Sequence, residues 1–414
     1  MIIKRFELMH FITIKKKKKL ILVMFLIILM DNNKLFLFQS NYNHIFNHTN
    51  NCIIKNKTYK LININYNRNH YIKNGLHFLN KTKTFFLNNQ SKEINFINKH
   101  PKISVIIPIY NCQNTIELSL NSIFLQTFKD IEIILINDLS FDNSSKIIKK
   151  YQTFDQRIII INNKRNMGTL YSRCIGALKA KGKYIFGLDN DDLLLDEGVL
   201  ETVYLNAEIN NFDIVEIKSF NIHNYNPDNQ SIRNGDFIQH PNNLILHQPD
   251  LGIFSITQNK ALALTDHFIW GKCIKTHIYK LAVNKLGKKR YSYYNCWTED
   301  ITIVFIIFNI AKSFIFLNMF GIFHIISATT TSNKLTNSHK FITHIFFLDI
   351  LYDFSKNDFI TKKYVAEYAL SFSKDLINKL DINNKQYFNI IIKKIIDCKY
   401  IPNEYKHKII EKFI

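Results

Sequence analysis

The chain has 414 residues, of which 47% are hydrophobic and 21% are charged. This balance allows a substantial core and excludes a wholly disordered chain, and the length suits one large domain with extensions, or two domains. The net charge of +21 does not predict nucleic-acid binding, because lysine and asparagine are enriched throughout and no compact basic stripe with interleaved aromatic residues occurs.

The N-terminal residues carry a targeting pattern. Lys15–Lys19 form a basic run, and the apolar run Leu20–Met30 follows it and ends at Asp31. This order is typical of a signal peptide or signal anchor, although the apolar run is shorter than the roughly 20 residues of a membrane-spanning helix. We therefore predict a targeting or signal-anchor segment over residues 1–40, with membrane contact and a lumenal catalytic domain in the endomembrane system (ER or Golgi). The alternative is a surface hydrophobic helix or a poorly ordered extension.

Residues 41–100 are rich in asparagine, lysine and aromatic residues and show little periodicity. Such a composition predicts a stem or linker. Four Asn-X-Ser/Thr patterns, at Asn47, Asn56, Asn80 and Asn89, give only weak support for a lumenal stem, because such patterns arise by chance in an asparagine-rich chain.

A repeated strand, loop and helix pattern begins after Pro101. Short β-branched apolar runs predict strands at 103–108, 131–136, 157–161 and 183–188, and helical spacing predicts helices at 115–126, from 144 onward and at 169–180. This order predicts an α/β fold with a mostly parallel sheet and helices on both faces. In such sheets ligands bind beyond the carboxyl ends of the strands.

Acidic residues follow the fourth predicted strand. Asp189, Asp191 and Asp192 lie within four positions, and their carboxylates would repel one another. A divalent cation, Mn²⁺ or Mg²⁺, would relieve this repulsion and would neutralise charge on the diphosphate of a bound nucleotide. The alternative is a solvated acidic turn that caps the next helix.

Four motifs occur in a characteristic order: Ser104–Asn111, Leu135–Ser144, Asn166–Gly168 with Ser172–Arg173, and Gly182–Asp192. Together they resemble family 2 glycosyltransferases with the GT-A fold, strongly over residues 102–220 and more loosely over 270–333. The resemblance implies that the catalytic domain spans residues 101–335, with a helical C-terminal region over 336–414.

The resemblance also implies roles for individual residues. Those implied to bind the donor nucleotide are Pro108, Tyr110, Asp138, Arg173 and Asp189. Asp191 is implied to bind the metal, and Asp192 is the adjacent family acid with a possible donor or acceptor contact.

Two further implied segments lie downstream. Trp270–Cys273 resembles the family's tryptophan segment, and 297–300 resembles its Glu-Asp motif, in which Asp300 would be the general base. Trp270, Glu299 and His324 are possible donor or acceptor contacts. Helix-dipole stabilisation is the alternative for the Glu299–Asp300 pair, and a packed, hydrogen-bonded histidine is the alternative for His324.

Some residues depart from the family pattern. Asn137 stands where an aspartate is frequent, Leu139 where a glycine is frequent and Cys174 where an asparagine is frequent. Leu139 would strain a tight turn unless its φ stays negative.

Other parts of the chain are less informative. Residues 221–265 are predicted to form acceptor-side loops, and the apolar run 301–319 is predicted to be a buried helix rather than a membrane span. The six cysteines form no Cys-X-X-Cys pair, so buried free thiols are expected, although Cys273 and Cys296 are able to pair.

The expected function is transfer of a sugar from a nucleotide-diphospho-sugar, a UDP-sugar by resemblance, to a hydroxyl group on a glycan, lipid or protein. The resemblance implies an inverting, metal-dependent reaction. Two alternatives stay open: a nucleotidyltransferase, and a catalytically inactive glycan-binding or scaffold protein.

Overall fold

The structure is a computed structural model. It describes residues 100–223, 226–232, 244–247, 268–293, 295 and 298–326, helical positions at 75 and 77–84, short strands within the first 60 residues, and isolated helical positions between 343 and 411. The chain divides into two compact units, Met1–Asn63 and Ile64–Ile414.

The described residues of the first unit form antiparallel hairpins. The paired strands are Lys15–Lys16 with Lys19–Leu20, Leu29–Asp31 with Lys34–Phe36, and Asn51–Ile54 with Lys57–Lys60. Most of the predicted targeting segment lies outside the described residues. Among the helices that the structure does describe, none has the length and hydrophobicity needed to span a bilayer.

The second unit is built on one mixed sheet. Its described strands are β1 (Ile103–Ile109), β2 (Ile131–Asn137), β3 (Ile158–Asn162), β4 (Tyr184–Gly187), β5 (Leu193–Leu194), β6 (Ile214–His223), β7 (Asn226–Ile232), β8 (Leu244–His247), β9 (Lys272–Lys275) and β10 (Ser313–Ile326). Its described helices are α1 (Ile116–Phe124), α2 (Ser144–Phe154), α3 (Thr169–Lys179), α4 (Val199–Ile209), α5 (Thr276–Leu286), α6 (Lys288–Tyr291) and α7 (Glu299–Ile310).

Four parallel strands form one half of the sheet, in the order β3-β2-β1-β4. The other half continues as β9-β6-β10-β5, where β9 is antiparallel to β4 and β6, and β6 and β10 are parallel. The predicted α/β fold is therefore confirmed, and the sheet predicted to be mostly parallel is a mixed sheet with four adjacent parallel strands. The carboxyl ends of β1, β2 and β4 meet at one edge.

Side chains that alternate along each strand pack into two separate hydrophobic cores, one on each face of the sheet. In β1, Ile106 packs into the core formed with α3, α5 and α7, whereas Val105 and Ile107 pack into the opposite core with α1, α2 and α4. Because successive side chains of a strand point to opposite faces, a strand buried on both faces is apolar at nearly every position. This is the pattern from which β1 to β4 were predicted.

The predicted helix over 301–319 is wrong in its second half. Helix α7 ends at Ile310, and Phe314–Met319 belongs to the long strand β10. The run is apolar on both sides of Lys312, so its hydrophobicity carries no period that separates a buried helix from a buried strand. Strands β7 and β8 also lie in the segment predicted to form acceptor-side loops.

Part of the predicted stem or linker is a helix. Residues 77–84 are helical, and their buried side chains are Phe78, Leu79 and Thr82. Leu79 lies in the core with α1 and α4, and Nδ2 of Asn121 donates to the carbonyl of Thr82 at 2.9 Å. This part of the segment is packed against the sheet unit.

The predicted C-terminal helical region lies mostly outside the described residues. The described positions from Thr343 to Phe354 are helical. Phe347 and Ile350 are buried in the core that contains α7, and the ring centroids of Phe305 and Phe347 are 6.4 Å apart.

Candidate active site

The loops after β1 and β2 form one edge of the candidate site. Tyr110 follows β1, is 39% exposed, and makes an edge-to-face contact with Phe141 at 6.2 Å between ring centroids. Pro108 is buried within β1, and its carbonyl accepts a hydrogen bond from Nδ2 of Asn190 at 2.9 Å. The end of β1 is thereby tied to the acidic loop after β4.

Asp138 holds a neighbouring loop. Its Oδ1 accepts hydrogen bonds from Nδ2 of Asn163 at 2.7 Å and from the backbone of Met167 at 2.8 Å, and its Oδ2 accepts one from the backbone of Gly168 at 2.7 Å. Only 4% of Asp138 is exposed. Its predicted contact with the base stays a prediction, and what the structure adds is that this carboxylate fixes the turn that begins α3.

Asn137 and Leu139, which flank Asp138, depart from the family pattern, and the structure shows the local consequence of each departure. Asn137 donates from Nδ2 to Oδ1 of Asn162 at 2.9 Å and accepts from the backbone of Ser140 at 3.1 Å. An aspartate at this position would have no donor for the first bond. Leu139 has a φ of +60°, so the strain foreseen for this turn is present.

The third departure, Cys174, lies fully buried on the inner face of α3. It packs as a small apolar side chain. Cys112, Cys174 and Cys273 are free, buried thiols, as expected; Cys296 lies outside the described residues.

Arg173 joins two of the predicted acids. Its Nη2 donates to Oδ1 of Asp189 at 2.7 Å, and its Nε lies 3.2 Å from Oδ1 of Asp300. Arg173 is buried, which opposes its charge, yet the carboxylates of Asp300, Asp189 and Glu299 outweigh this effect and raise its pKa. The contact brings the end of β4, helix α3 and the start of α7 together, although these residues are far apart in sequence.

A second group of contacts surrounds Asp192, three residues after Asp189. Asp192 is fully buried, and Nδ1 of His324 lies 2.9 Å from its Oδ1, which also accepts the backbone N–H of Ile325 at 3.1 Å. The ring of His324 stacks on Trp270 with centroids 5.0 Å apart. His324 is therefore packed and hydrogen-bonded, and its contact with a diphosphate or metal stays a prediction.

Asp191 interacts electrostatically with both Asp189 and Asp192. Burial, and then the neighbouring carboxylates of Asp192 and Asp189, raise its pKa to about 8. Within the described part of the chain, no group of three or more His, Cys, Asp or Glu side chains is arranged to hold a metal. A cation at Asp191 would thus need oxygen ligands from a bound substrate, which is how Mg²⁺ is commonly held in nucleotide sites.

The pair at the start of α7 has unusual acidity. Burial raises the pKa of Asp300 to about 6, since it outweighs the opposing effect of Arg173. Burial and the charge of Asp300 also raise the pKa of Glu299. A carboxylate whose pKa lies close to neutral accepts a proton at working pH and is well suited to act as a general base. The N-terminal position on α7 also favours negative charge, so the two interpretations of this pair are compatible.

The structure also reveals charged residues near the site that the sequence analysis did not single out. Lys272 on β9 and Glu216 on β6 form a buried ion pair with 3.1 Å between Nζ and Oε1. The available signal was a glutamate within β6 and a lysine at the start of β9. Only the strand register shows that they lie opposite one another.

Comparison with known proteins agrees with this architecture. Residues 104–273 match the family model for glycosyl transferase family 2. A glycosyltransferase named GlyA from Streptococcus pneumoniae is 32% identical over 200 residues, which are 46% of this chain and 27% of that protein. A cholesterol galactosyltransferase from Borreliella burgdorferi is 40% identical over 114 residues, which are 28% of this chain and 31% of that protein. The chain therefore spans less than a third of the length of either relative.

A solved structure has a similar fold. The structure of S. aureus TarS residues 1–349 in complex with UDP-GlcNAc superposes with a TM-score of 0.57 at 16% identity, over 75% of this chain and 89% of that chain. At this identity the likeness shows the fold. The matched share of the chain is larger than the region of the family match.

Proposed function

We propose that this chain, whose residues 104–273 belong to glycosyl transferase family 2, is a glycosyltransferase that uses a UDP-sugar and transfers the sugar to a hydroxyl group with inversion. The observation that carries the proposal is the Arg173 bridge between Asp189 and Asp300. It links an acid of the predicted donor site to an acid whose pKa suits a base, at the edge of the sheet where α/β proteins bind ligands. UDP-GlcNAc, bound by the TarS structure with the similar fold, is the first donor to test.

The reaction follows from these positions. The acceptor oxygen attacks the anomeric carbon while its proton passes to the carboxylate of Asp300. The bond between that carbon and the diphosphate oxygen breaks, and its electron pair stays on the UDP that leaves. Arg173 keeps Asp300 aligned and ionised, and general-base assistance of this kind contributes roughly a hundredfold to ten-thousandfold in rate.

Metal dependence is part of the proposal. Asp191 would hold the ion, together with oxygens of the donor diphosphate, and Mn²⁺ or Mg²⁺ there would supply positive charge beside the leaving group. The fit rests on burial and on the mutual repulsion of Asp189, Asp191 and Asp192, which together raise the pKa of Asp191. A cation would relieve the repulsion.

The acceptor and the location of the protein belong to the proposal as well. A hydroxyl on a glycan, lipid or protein would suit Asp300 equally, because the base contacts only the attacking oxygen. We retain the basic and apolar N-terminal pattern as a membrane-targeting segment that would place the catalytic unit in the endomembrane lumen.

Binding of UDP to the full chain is the first test, measured by calorimetry with and without Mn²⁺. We expect metal-dependent binding that Asp191→Ala removes and Asp300→Asn leaves intact. Asp300→Asn should instead abolish UDP release from UDP-GlcNAc, with water or an added acceptor as the attacking group.

The other outcomes separate the competing functions. Release of pyrophosphate from a nucleoside triphosphate would favour a nucleotidyltransferase. A folded chain that binds glycans but neither binds UDP nor other nucleoside diphosphates would favour the inactive scaffold and contradict the proposal.

A further inference from the structure

A buried asparagine joins the two helices that carry the Arg173–Asp300 contact, and it has no part in the steps described above. Asn295 precedes α7 in the chain and is fully buried. Its carbonyl accepts a hydrogen bond from the backbone N–H of Leu170 in α3 at 3.2 Å. The start of α3 is thereby tied to the segment that leads into α7.

The side chain of Asn295 makes the second half of the connection. Its Oδ1 accepts the backbone N–H of Thr298, and its Nδ2 donates to Oγ1 of Thr298, at 3.2 Å in both cases. Thr298 is the residue before α7, and its carbonyl accepts the backbone N–H and the hydroxyl of Thr302, at 3.0 and 2.6 Å. Asn295 therefore holds the first turn of the helix on which Asp300 lies.

The glycine before α3 permits this close approach. A Cβ atom at Gly168 would lie 2.9 Å from the carbonyl oxygen of Asn295, and the φ of Gly168 is +85°. A residue with a side chain would be strained in this conformation and would push Asn295 away. The backbone N–H of Gly168 also donates to Oδ2 of Asp138 at 2.7 Å, so Asn295 packs against the turn that Asp138 holds.

The ion pair between Arg173 and Asp300 sets a distance but not a direction. Nε of Arg173 lies 3.2 Å from Oδ1 of Asp300, yet within the described part of the chain neither atom has a hydrogen-bond partner. The orientation of an ion pair comes from aligned hydrogen bonds, so the alignment of Asp300 also depends on where α7 begins. Leu170 precedes Arg173 by three residues on α3, and three residues bring two side chains to the same face of a helix. A contact at Leu170 therefore acts close to the ion pair.

We propose that Asn295 is a positioning residue for the transfer reaction: it holds the start of α7 against the start of α3, so that the carboxylate of Asp300 stays in place to take the acceptor's proton. This inference rests on the proposed role of Asp300. Asn295 itself takes no proton. Displacement of a catalytic group by about 1 Å costs on the order of a hundredfold in rate, whereas binding of the nucleotide does not use Asp300.

The test compares kcat for UDP release from UDP-GlcNAc with the Kd for UDP, both measured on the full chain with Mn²⁺ and with water as the attacking group. We express kcat per UDP-binding site, counted by calorimetry, so that a loss of folded protein is not mistaken for a loss of catalysis. In Asn295→Ala we expect kcat to fall about tenfold while the Kd stays within about twofold of the wild-type value. Asn295→Ser, whose hydroxyl is able to accept the N–H of Thr298, should recover most of the loss.

Asn121 on α1 provides a matched control. It is 3% exposed, its Nδ2 donates to the carbonyl of Thr82 at 2.9 Å, and its Oδ1 accepts the hydroxyl of Tyr151 at 3.0 Å. These contacts lie on the face of the sheet opposite α7. Asn121→Ala should lower stability while kcat per binding site keeps the wild-type value. Equal falls in the two alanine variants, or wild-type kcat in Asn295→Ala, would overturn the inference.

Failure of the inference and failure of the function give different results. If the wild type releases UDP and Asp300→Asn does not, the function stands whatever Asn295→Ala does. If Asp300→Asn releases UDP as fast as the wild type, or the wild type releases none, the function and the inference fall together.

A second variant covers the case in which Asn295→Ala is too unstable to assay. Thr298→Val keeps the shape of the side chain and removes the hydroxyl group to which Nδ2 of Asn295 donates. Its kcat per binding site should fall by roughly threefold, with the Kd for UDP unchanged. A wild-type kcat in this variant would again overturn the inference.

Discussion

Leu139 has a left-handed backbone conformation, which is unfavourable for a residue that carries a side chain. Its φ is +60° and it is 53% exposed, so a glycine would remove the clash with little loss of packing. We expect Leu139→Gly to raise the free energy of unfolding by about 0.5–1 kcal/mol, after the added entropy of the unfolded chain is subtracted. Chemical denaturation measures the change. Asn143→Gly, in the same loop at a φ of −74°, is the control and should lose stability; a gain of equal size there would rule out strain at Leu139 as the cause.

Arg173 depends on the shape of its guanidinium group as well as on its charge. Two of its nitrogens reach two different carboxylates, at 2.7 Å and 3.2 Å. A lysine places a single ammonium nitrogen and does not reproduce the fixed, two-nitrogen geometry of the guanidinium. We expect Arg173→Lys to lower kcat for UDP release on the order of a hundredfold, with a smaller change in UDP affinity. Wild-type kcat in this variant would show that charge alone is sufficient.

The sequence predicts individual site residues better than their contacts. Asp189 and Asp300 stand at motif positions, so a role for each is readable from the chain. Arg173 also stands in a motif, but its bridge between these two acids is not readable from the chain, because the bridge depends on how α3 and α7 pack. The hydrogen bonds that Met167 and Gly168 donate to Asp138 are also hidden from the sequence, because their donors are backbone N–H groups, which leave no mark on the residue types.

At the scale of elements, predictability follows hydrophobic pattern. Strands β1 to β4 are short β-branched runs bounded by loop residues, and the structure has all four. Helix α7 and strand β10 share one apolar run without a period, so their boundary at 311–312 was missed. The helix at 77–84 was missed because its few buried positions are interspersed with lysine, asparagine and threonine.

That helix belongs to the folded unit, and a core substitution tests this. Leu79 is 2% exposed and packs with α1 and α4. We expect Leu79→Ala to lower the free energy of unfolding by about 2–4 kcal/mol through lost packing and the cavity left behind. Thermal unfolding of the unit Ile64–Ile414 is the measurement. Lys83→Ala, exposed on the same helix, should have little effect, and equal stability of the two variants would identify the helix as a dispensable linker.

At the scale of the whole molecule, the fold buries several acidic side chains in surroundings that disfavour their charged form. Asp191, Glu299 and Asp300 each have a raised pKa, in every case with burial as the largest cause. Arg173 forms its ion pairs with Asp189 and Asp300. This arrangement suits a site that receives a cation and a proton, and it reduces the stability of the free protein.

The consequence for stability has a definite sign. The pKa of Glu299 in the folded protein is raised to about 8. Between the ordinary pKa of a glutamic acid and pH 8, the folded state therefore binds more protons than the unfolded state. The contribution of Glu299 to the free energy of unfolding is complete at low pH and is lost as the pH rises toward 8. We expect Glu299→Gln to stabilise the protein at pH 8 by on the order of 1–2 kcal/mol relative to its effect at pH 5. Denaturant unfolding at both pH values provides the comparison.

Glu117→Gln is the matched control, because Glu117 is an exposed acid in the first turn of α1. Its substitution should change stability by the same small amount at both pH values. If Glu299→Gln behaves in the same way, the carboxyl at the start of α7 is hydrated rather than held in a low-dielectric site. The low-dielectric environment on which the proposed role of Asp300 as a base depends would then be absent as well.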